Sequence, residues 1–216
     1  MKTDTKNFTI WVEGLEISYS LKNINFAAEK GELVGMTGLN QDDKKMLFEV
    51  LGCFHKPRNG KYIFDYVDIN LVESARLEAI RAEKIGYVFD TPKLFDELNV
   101  IQNVTLWLDY FYPKKSSYRL AKDMLKEFDM EEKSQSCIEQ LSSLEKVKVS
   151  LARAAIKKPE LLLIDDIFSW LKPEDSETIM RLLLKLAEKE ITTVFFTNIQ
   201  EFLLIANRVI RFEGYV

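Results

Sequence analysis

The sequence predicts an α/β fold with a helical insertion near its middle. Three observations carry this. Short β-branched segments alternate with amphipathic helical patterns toward both ends of the chain. Leu161–Asp165 is hydrophobic on both faces, as a central parallel strand requires. From Thr91 to about Ser150 the pattern is mostly helical.

Taken in order, Phe8–Val12 and Leu15–Tyr19 read as short strands. Leu33–Met36 is a buried strand, followed by Gly38 and a helix through Met46, Leu47, Val50 and Leu51. Lys61–Phe64 and Ile85–Phe89 are further strands. The middle carries an aromatic group of Trp107, Tyr110, Phe111 and Tyr112. It reads as internal core, with one or two exposed rings as the partner-binding alternative. Val147–Ile156 is helical and stops before Pro159. Pro173 opens a helix with Ile179, Leu182, Leu183 and Leu186 at i, i+3, i+4 and i+7. Thr192–Thr197 is another buried strand, followed by a short helix from Ile199 and a last strand at Val209–Phe212.

A chain of 216 residues, 47% hydrophobic and 30% charged, fits one domain with a modest subdomain and excludes general disorder. A net charge of −4 argues against a nucleic-acid partner, which wants a basic face. The one histidine, His55, excludes multi-histidine zinc sites and reads as a surface loop residue. Cys53 and Cys137 lie far apart and point to a reducing compartment. The polar start shows no signal-peptide pattern, and no run approaches the ~18 apolar residues of a membrane span. Glycine is scarce, 8 in 216, about half the usual ~7%.

That shortage bears on one segment. A strand, a glycine and then a helix is where a phosphate loop, G-x-x-x-x-G-K-[ST], belongs. Here Gly38-Leu39-Asn40-Gln41-Asp42-Asp43-Lys44-Lys45 keeps Gly38 and Lys44 at the right spacing. Asp43 replaces the second glycine and Lys45 the magnesium-binding hydroxyl.

Several further segments, in order, resemble the nucleotide-binding domain of ABC transporters. Tyr19 sits where that family stacks an aromatic on adenine. Ile85–Asp90 looks like the strand entering the Q-loop, with Asp90 for glutamine, and Asp96–Val104 like the segment opening the helical subdomain. Leu141-Ser142-Ser143-Leu144-Glu145 falls at the LSGGQ signature, followed by Leu151-Ala152-Arg153-Ala154. Leu161–Asp166 resembles Walker B, with Asp166 at the catalytic glutamate position; Ser169–Pro173 looks like the D-loop, with Lys172 for its aspartate. Asn198 stands at the switch histidine, and Arg211-Phe212-Glu213-Gly214 looks like the closing strand and turn. Arg81–Val104 resembles the lipoprotein-release, macrolide-export and cell-division members. The resemblance implies a P-loop NTPase-like core with N-terminal antiparallel strands, at 1–90 and 151–216, and a helical subdomain at 91–150.

The resemblance also implies site residues: Asp166 and Asn198 at catalytic positions; Tyr19, Gly38, Asn40, Lys44, Lys45, Asp90 and, across a dimer, Ser142 for nucleotide; Asp165 and Asp90 for magnesium. Almost every chemically active position is altered. Carboxylates at 42 and 43 would repel an anion by about 4 kcal/mol at 4 Å and an effective dielectric of ~20, if they point inward. Alternatively they face solvent and cap the helix, or one stands in for phosphate at the orphan N–H groups. Lys45 either pairs with Asp165 where magnesium would sit or extends to solvent. Asn198 cannot exchange a proton as histidine can. The expectation is a degenerate subunit of a membrane transport complex: ATP weak or absent, magnesium absent, little or no hydrolysis. Its partners would be a permease, reached through the helical subdomain, and a second ABC-type subunit, placing it in the cytoplasm on the inner membrane face. A slow but working ATPase and a soluble interaction module are the alternatives.

Overall fold

The computed structural model describes residues 7–212. Glu213 and Gly214, which complete the expected closing turn, lie outside the described residues, as do the side chains of Trp170 and Pro173. Strands β1 (Phe8–Glu16), β2 (Ile24–Glu29), β4 (Asn59–Phe64) and β5 (Val67–Asp68) form an antiparallel sheet in the order β2-β1-β4-β5. Strands β3 (Leu33–Thr37), β6 (Ile85–Val88), β7 (Leu161–Ile164), β8 (Thr192–Phe196) and β9 (Arg208–Arg211) form a parallel sheet in the order β6-β7-β8-β3-β9. Every residue of β3, β7 and β8 is buried, so these strands tolerate only apolar, glycine or hydrogen-bonded side chains.

The helices are α1 (Gln41–Leu51), α2 (Ser74–Lys84), α3 (Val100–Thr105), α4 (Leu108–Phe111), α5 (Lys114–Glu127), α6 (Ser143–Ala155), α7 (Pro173–Glu188) and α8 (Gln200–Leu203). One core cluster lies between the two sheets and includes Ile10, Phe26, Met36 and Phe196 with Leu47 and Leu51 of α1. The other joins the far face of the parallel sheet to α3, α5, α6 and α7. Packing of α6 against β6 is close: a methyl on Gly86 would lie 2.6 Å from the Ala154 carbonyl oxygen.

Four sequence expectations change. The two N-terminal strands are one, β1, kinked where Gly14 adopts φ +56° and the pairing to β2 and β4 shifts register. Strand β2 and helix α2 form where no element was expected. The aromatic group is not core: only Trp107 is half-buried, while Phe111 and Tyr112 are exposed and Tyr110 is 84% exposed. Three of the rings instead pack against one another, Trp107–Phe111 tilted at 4.5 Å and Tyr110–Phe111 edge-on at 4.9 Å between centroids.

Candidate nucleotide site

Because β3, β7 and β8 are parallel neighbours, their C-terminal ends deliver Gly38, Asp165–Asp166 and Thr197–Asn198 to one edge of the sheet. Helix α1 starts beside them. Its N-cap is Asn40, whose amide oxygen accepts the Asp43 N–H at 2.9 Å. This is a neutral side-chain cap, so no carboxylate takes the place of phosphate at the helix start. That corrects the stand-in reading of Asp42 and Asp43. Asp42 is exposed. Asp43 is 4% exposed and turned toward the β1–β2 connection. Its Oδ1 accepts the Ser20 hydroxyl at 2.7 Å and the Ser18 hydroxyl at 3.4 Å; its Oδ2 accepts the Asn40 amide at 2.8 Å.

Lys44 follows in the first turn, and its Nζ lies 2.8 Å from Asp165 Oδ1, with side chains only 12% and 18% exposed. A lysine does bridge to the acid after β7, but it is Lys44 rather than Lys45. One residue is 100° of helix rotation: Lys44 faces the strand ends, whereas Lys45 is exposed.

Asp166 donates its N–H to Asp165 Oδ1 at 2.8 Å. Its own Oδ1 is buried without a partner among the described residues. Burial pushes its pKa above the usual carboxylate range; Lys44 opposes this, and Asp165 and Asp90 add to it. The cleft between Asp166, Lys44, Gln41, Thr197 and Asn198 holds about 20 Å³, room for about one water. Asn198 accepts both the Thr37 hydroxyl and the Gly38 N–H at 3.0 Å, tying β8 to the loop after β3. Gly38 itself has φ +87°, and a methyl there would sit 2.9 Å from the Phe212 carbonyl oxygen.

On the other side of the Lys44–Asp165 pair, Asp90 is exposed and caps the Thr91 N–H. It lines a groove of about 750 Å³ with Asp42, Lys45, Phe48, Phe89 and Lys93. Tyr19, 85% exposed, has Lys22 Nζ and Arg58 Cζ within 5.4 and 5.1 Å of its ring centre. Ser142 stands apart from this cluster at the start of α6. Its hydroxyl accepts the Glu145 N–H, and Glu145 accepts the Ser142 N–H in return and pairs with Lys133. Burial pushes the Glu145 pKa up, but Lys133 and the Ser142 groups outweigh it and hold it below the usual range.

This arrangement can be set against known proteins. The model of the ABC transporter family matches residues 21–169. The chain belongs to the ABC transporter family. Within it, the chain is 33% identical over 199 residues to MJ0796, an uncharacterized ABC transporter ATP-binding protein of Methanocaldococcus jannaschii, covering 90% of this chain and 83% of that one. It is 29% identical to the macrolide export ATP-binding/permease protein MacB of Mannheimia succiniciproducens, over 93% of this chain but 31% of MacB. Among solved structures, the MJ0796 dimer bound to ADP and Pi superimposes with a TM-score of 0.82 at 28% identity, covering 94% and 93% of the two chains. CbiO1 of Clostridium perfringens superimposes at 0.87 with 25% identity, covering 95% and 85%. The mixed α/β architecture is thus that of an ABC ATP-binding cassette, and the likeness to macrolide exporters agrees with the resemblance of Arg81–Val104.

Within this cassette the strand ends bring together Gly38, Lys44, Asp165, Asp166 and Asn198, and leave Tyr19, Asp90, Lys45 and Ser142 outside their hydrogen-bonded cluster. Sequence reasoning missed Thr37, Thr197 and Gln41, which line or bond within the cluster. Thr37 and Thr197 were detectable as polar residues ending apolar strands. His55 is exposed beside Glu49, and Cys53 is buried, its thiol pushed up to about 12 by that burial.

Proposed function

We propose that this chain is a nucleotide-binding-type subunit of an ABC membrane transport complex that contributes shape or regulation, with little or no ATP hydrolysis. The observation that carries the reading is the Lys44–Asp165 ion pair. The lysine that would reach a phosphate is committed to the acid that would support magnesium, and the two charges neutralise each other without a ligand. Magnesium fits poorly on the same ground, since it takes oxygen ligands and Lys45 offers an ammonium at the hydroxyl position. Catalytically, Asp166 is one methylene shorter than glutamate, and the single amide oxygen of Asn198 is already accepting from both Thr37 and Gly38. ATP then binds weakly or not at all.

Residues 1–216 act as one nucleotide-binding-type domain, with 91–150 as its helical subdomain. The exposed Tyr110, Phe111 and Tyr112 supply an aromatic surface by which that subdomain would meet a permease. The MJ0796 structure is a dimer. A second ABC-type subunit is the corresponding partner here, with the chain held on the inner face of the membrane by its permease. Among the described residues no helix is long and apolar enough to cross a membrane. One observation favours the slow-ATPase alternative: Tyr19 remains exposed for base stacking.

The test is phosphate release at millimolar ATP with magnesium, for the chain alone and in its purified membrane complex. Turnover below background is expected. Turnover approaching ~1 s⁻¹, the low end of ordinary enzymes, would overturn the reading.

A further inference from the structure

The structure assigns Asp43 a positioning role: from the first turn of α1 it fixes the tip of the loop that carries Tyr19. The ends of this loop are anchored by the buried side chains of Ile17 and Leu21. Its turn is closed by the Ile17 N–H donating to the Leu21 carbonyl at 2.9 Å and the Leu21 N–H donating to the Ser18 hydroxyl at 3.0 Å. The Ser18 and Ser20 hydroxyls lie 2.8 Å apart, one on each side of Tyr19, and both reach Asp43 Oδ1. An 85%-exposed tyrosine has little packing of its own to hold it. The carboxylate 23 residues downstream of Ser20 supplies the tether.

Asp43 suits this task for two reasons. Its charge lies in the first turn of α1, where the helix dipole favours an anion, so a nearly buried carboxylate is tolerated. Every hydrogen bond it accepts is charge-assisted, and the Asn40 amide on Oδ2 fixes the plane of the carboxylate. A glycine at 43 would leave the Ser18–Ser20 turn with no acceptor on α1. The residue that breaks the phosphate-loop pattern thereby joins the Tyr19 loop to the turn that presents Lys44. The tether stands on these contacts alone. Its consequence for base stacking rests on the slow-ATPase alternative, in which Tyr19 is part of a nucleotide site.

Hydrogen exchange on the full chain tests it, comparing wild type with Asp43→Gly and with Ser20→Ala, which removes the shorter bond to Asp43 and keeps the Ser18 acceptor of the Leu21 N–H. Both variants should speed exchange of the amides from Ser20 to Lys22 about tenfold or more, with β8 unchanged, because local opening then replaces a held turn. Should Asp43→Gly fail to fold, Ser20→Ala carries the test, since it leaves both α1 and the Ser18–Leu21 bond intact. Unchanged loop exchange in both folded variants, or an equal acceleration in β8, would overturn the assignment. Tyr19→Ala separates the two claims through ATP titration. If loosening the loop is seen but neither Tyr19→Ala nor Asp43→Gly alters ATP affinity, the base-stacking reading fails while the tether holds.

Discussion

Replacing Lys44 by methionine keeps an unbranched side chain of nearly the same reach and removes its charge. At 2.8 Å and an effective dielectric of about 20, the attraction to Asp165 is about 6 kcal/mol before desolvation is subtracted. Side chains 12% and 18% exposed have lost much of their hydration, so the net effect of stranding Asp165 is closer to ~3 kcal/mol. In a chain of this size that lowers the melting temperature by about 6–12 °C. The loss should be felt without any nucleotide present, because the partner of Lys44 is protein. A double-mutant cycle with Asp165→Asn, read by urea unfolding, should return a coupling of ~2 kcal/mol or more. A lysine poised only for phosphate would give little or no loss in the ligand-free protein. Coupling below about 0.5 kcal/mol would refute the pair as a substitute for ligand.

Three further outcomes follow from the same geometry. Asn40→Ala should cost ~1–2 kcal/mol in chemical denaturation, since it removes the α1 cap and one partner of buried Asp43. Glu145 has a folded pKa below the ordinary value, so its contribution is present above the unfolded pKa of ~4.3 and lost as pH falls through the lower folded value. Glu145→Gln should therefore melt lower than wild type near neutral pH, and the gap should close in acid. Asp166 has the opposite shift: its ionised form is disfavoured in the folded state, a penalty present at pH above its folded pKa and absent below the unfolded value. Asp166→Asn should raise the melting temperature near pH 7, and that gain should vanish below about pH 4.

The fold was legible where burial is two-sided. The runs at Leu33–Met36, Leu161–Ile164 and Val194–Phe196 are apolar because β3, β7 and β8 are covered on both faces. Strand β2 was hidden because Ile24–Glu29 is stabilised by pairing to β1, and α2 because it buries only Leu77 and Ile80 among charged residues and alanines. The aromatic group misled because ring content predicts burial only when the element faces a core, and α4 is a four-residue helix that does so chiefly through Leu108. At the site, spacing located Gly38 and Lys44, and the family resemblance located Asp165, Asp166 and Asn198. What spacing could not give was direction. Whether Lys44 or Lys45 meets Asp165 depends on where α1 begins, which the Asn40 cap sets. Whether Asp43 faces an anion or a loop depends on Ser18 and Ser20, more than twenty residues upstream.

The central claim is that Lys44 and Asp165 satisfy each other where phosphate and magnesium would otherwise be held. Calorimetric titration of the purified chain with ATP, with and without magnesium, tests it most directly. The account predicts no magnesium-dependent heat up to about millimolar ATP, binding weaker than ~4 kcal/mol. Micromolar binding that requires magnesium would contradict it, because ligand would then have displaced the pair at little cost.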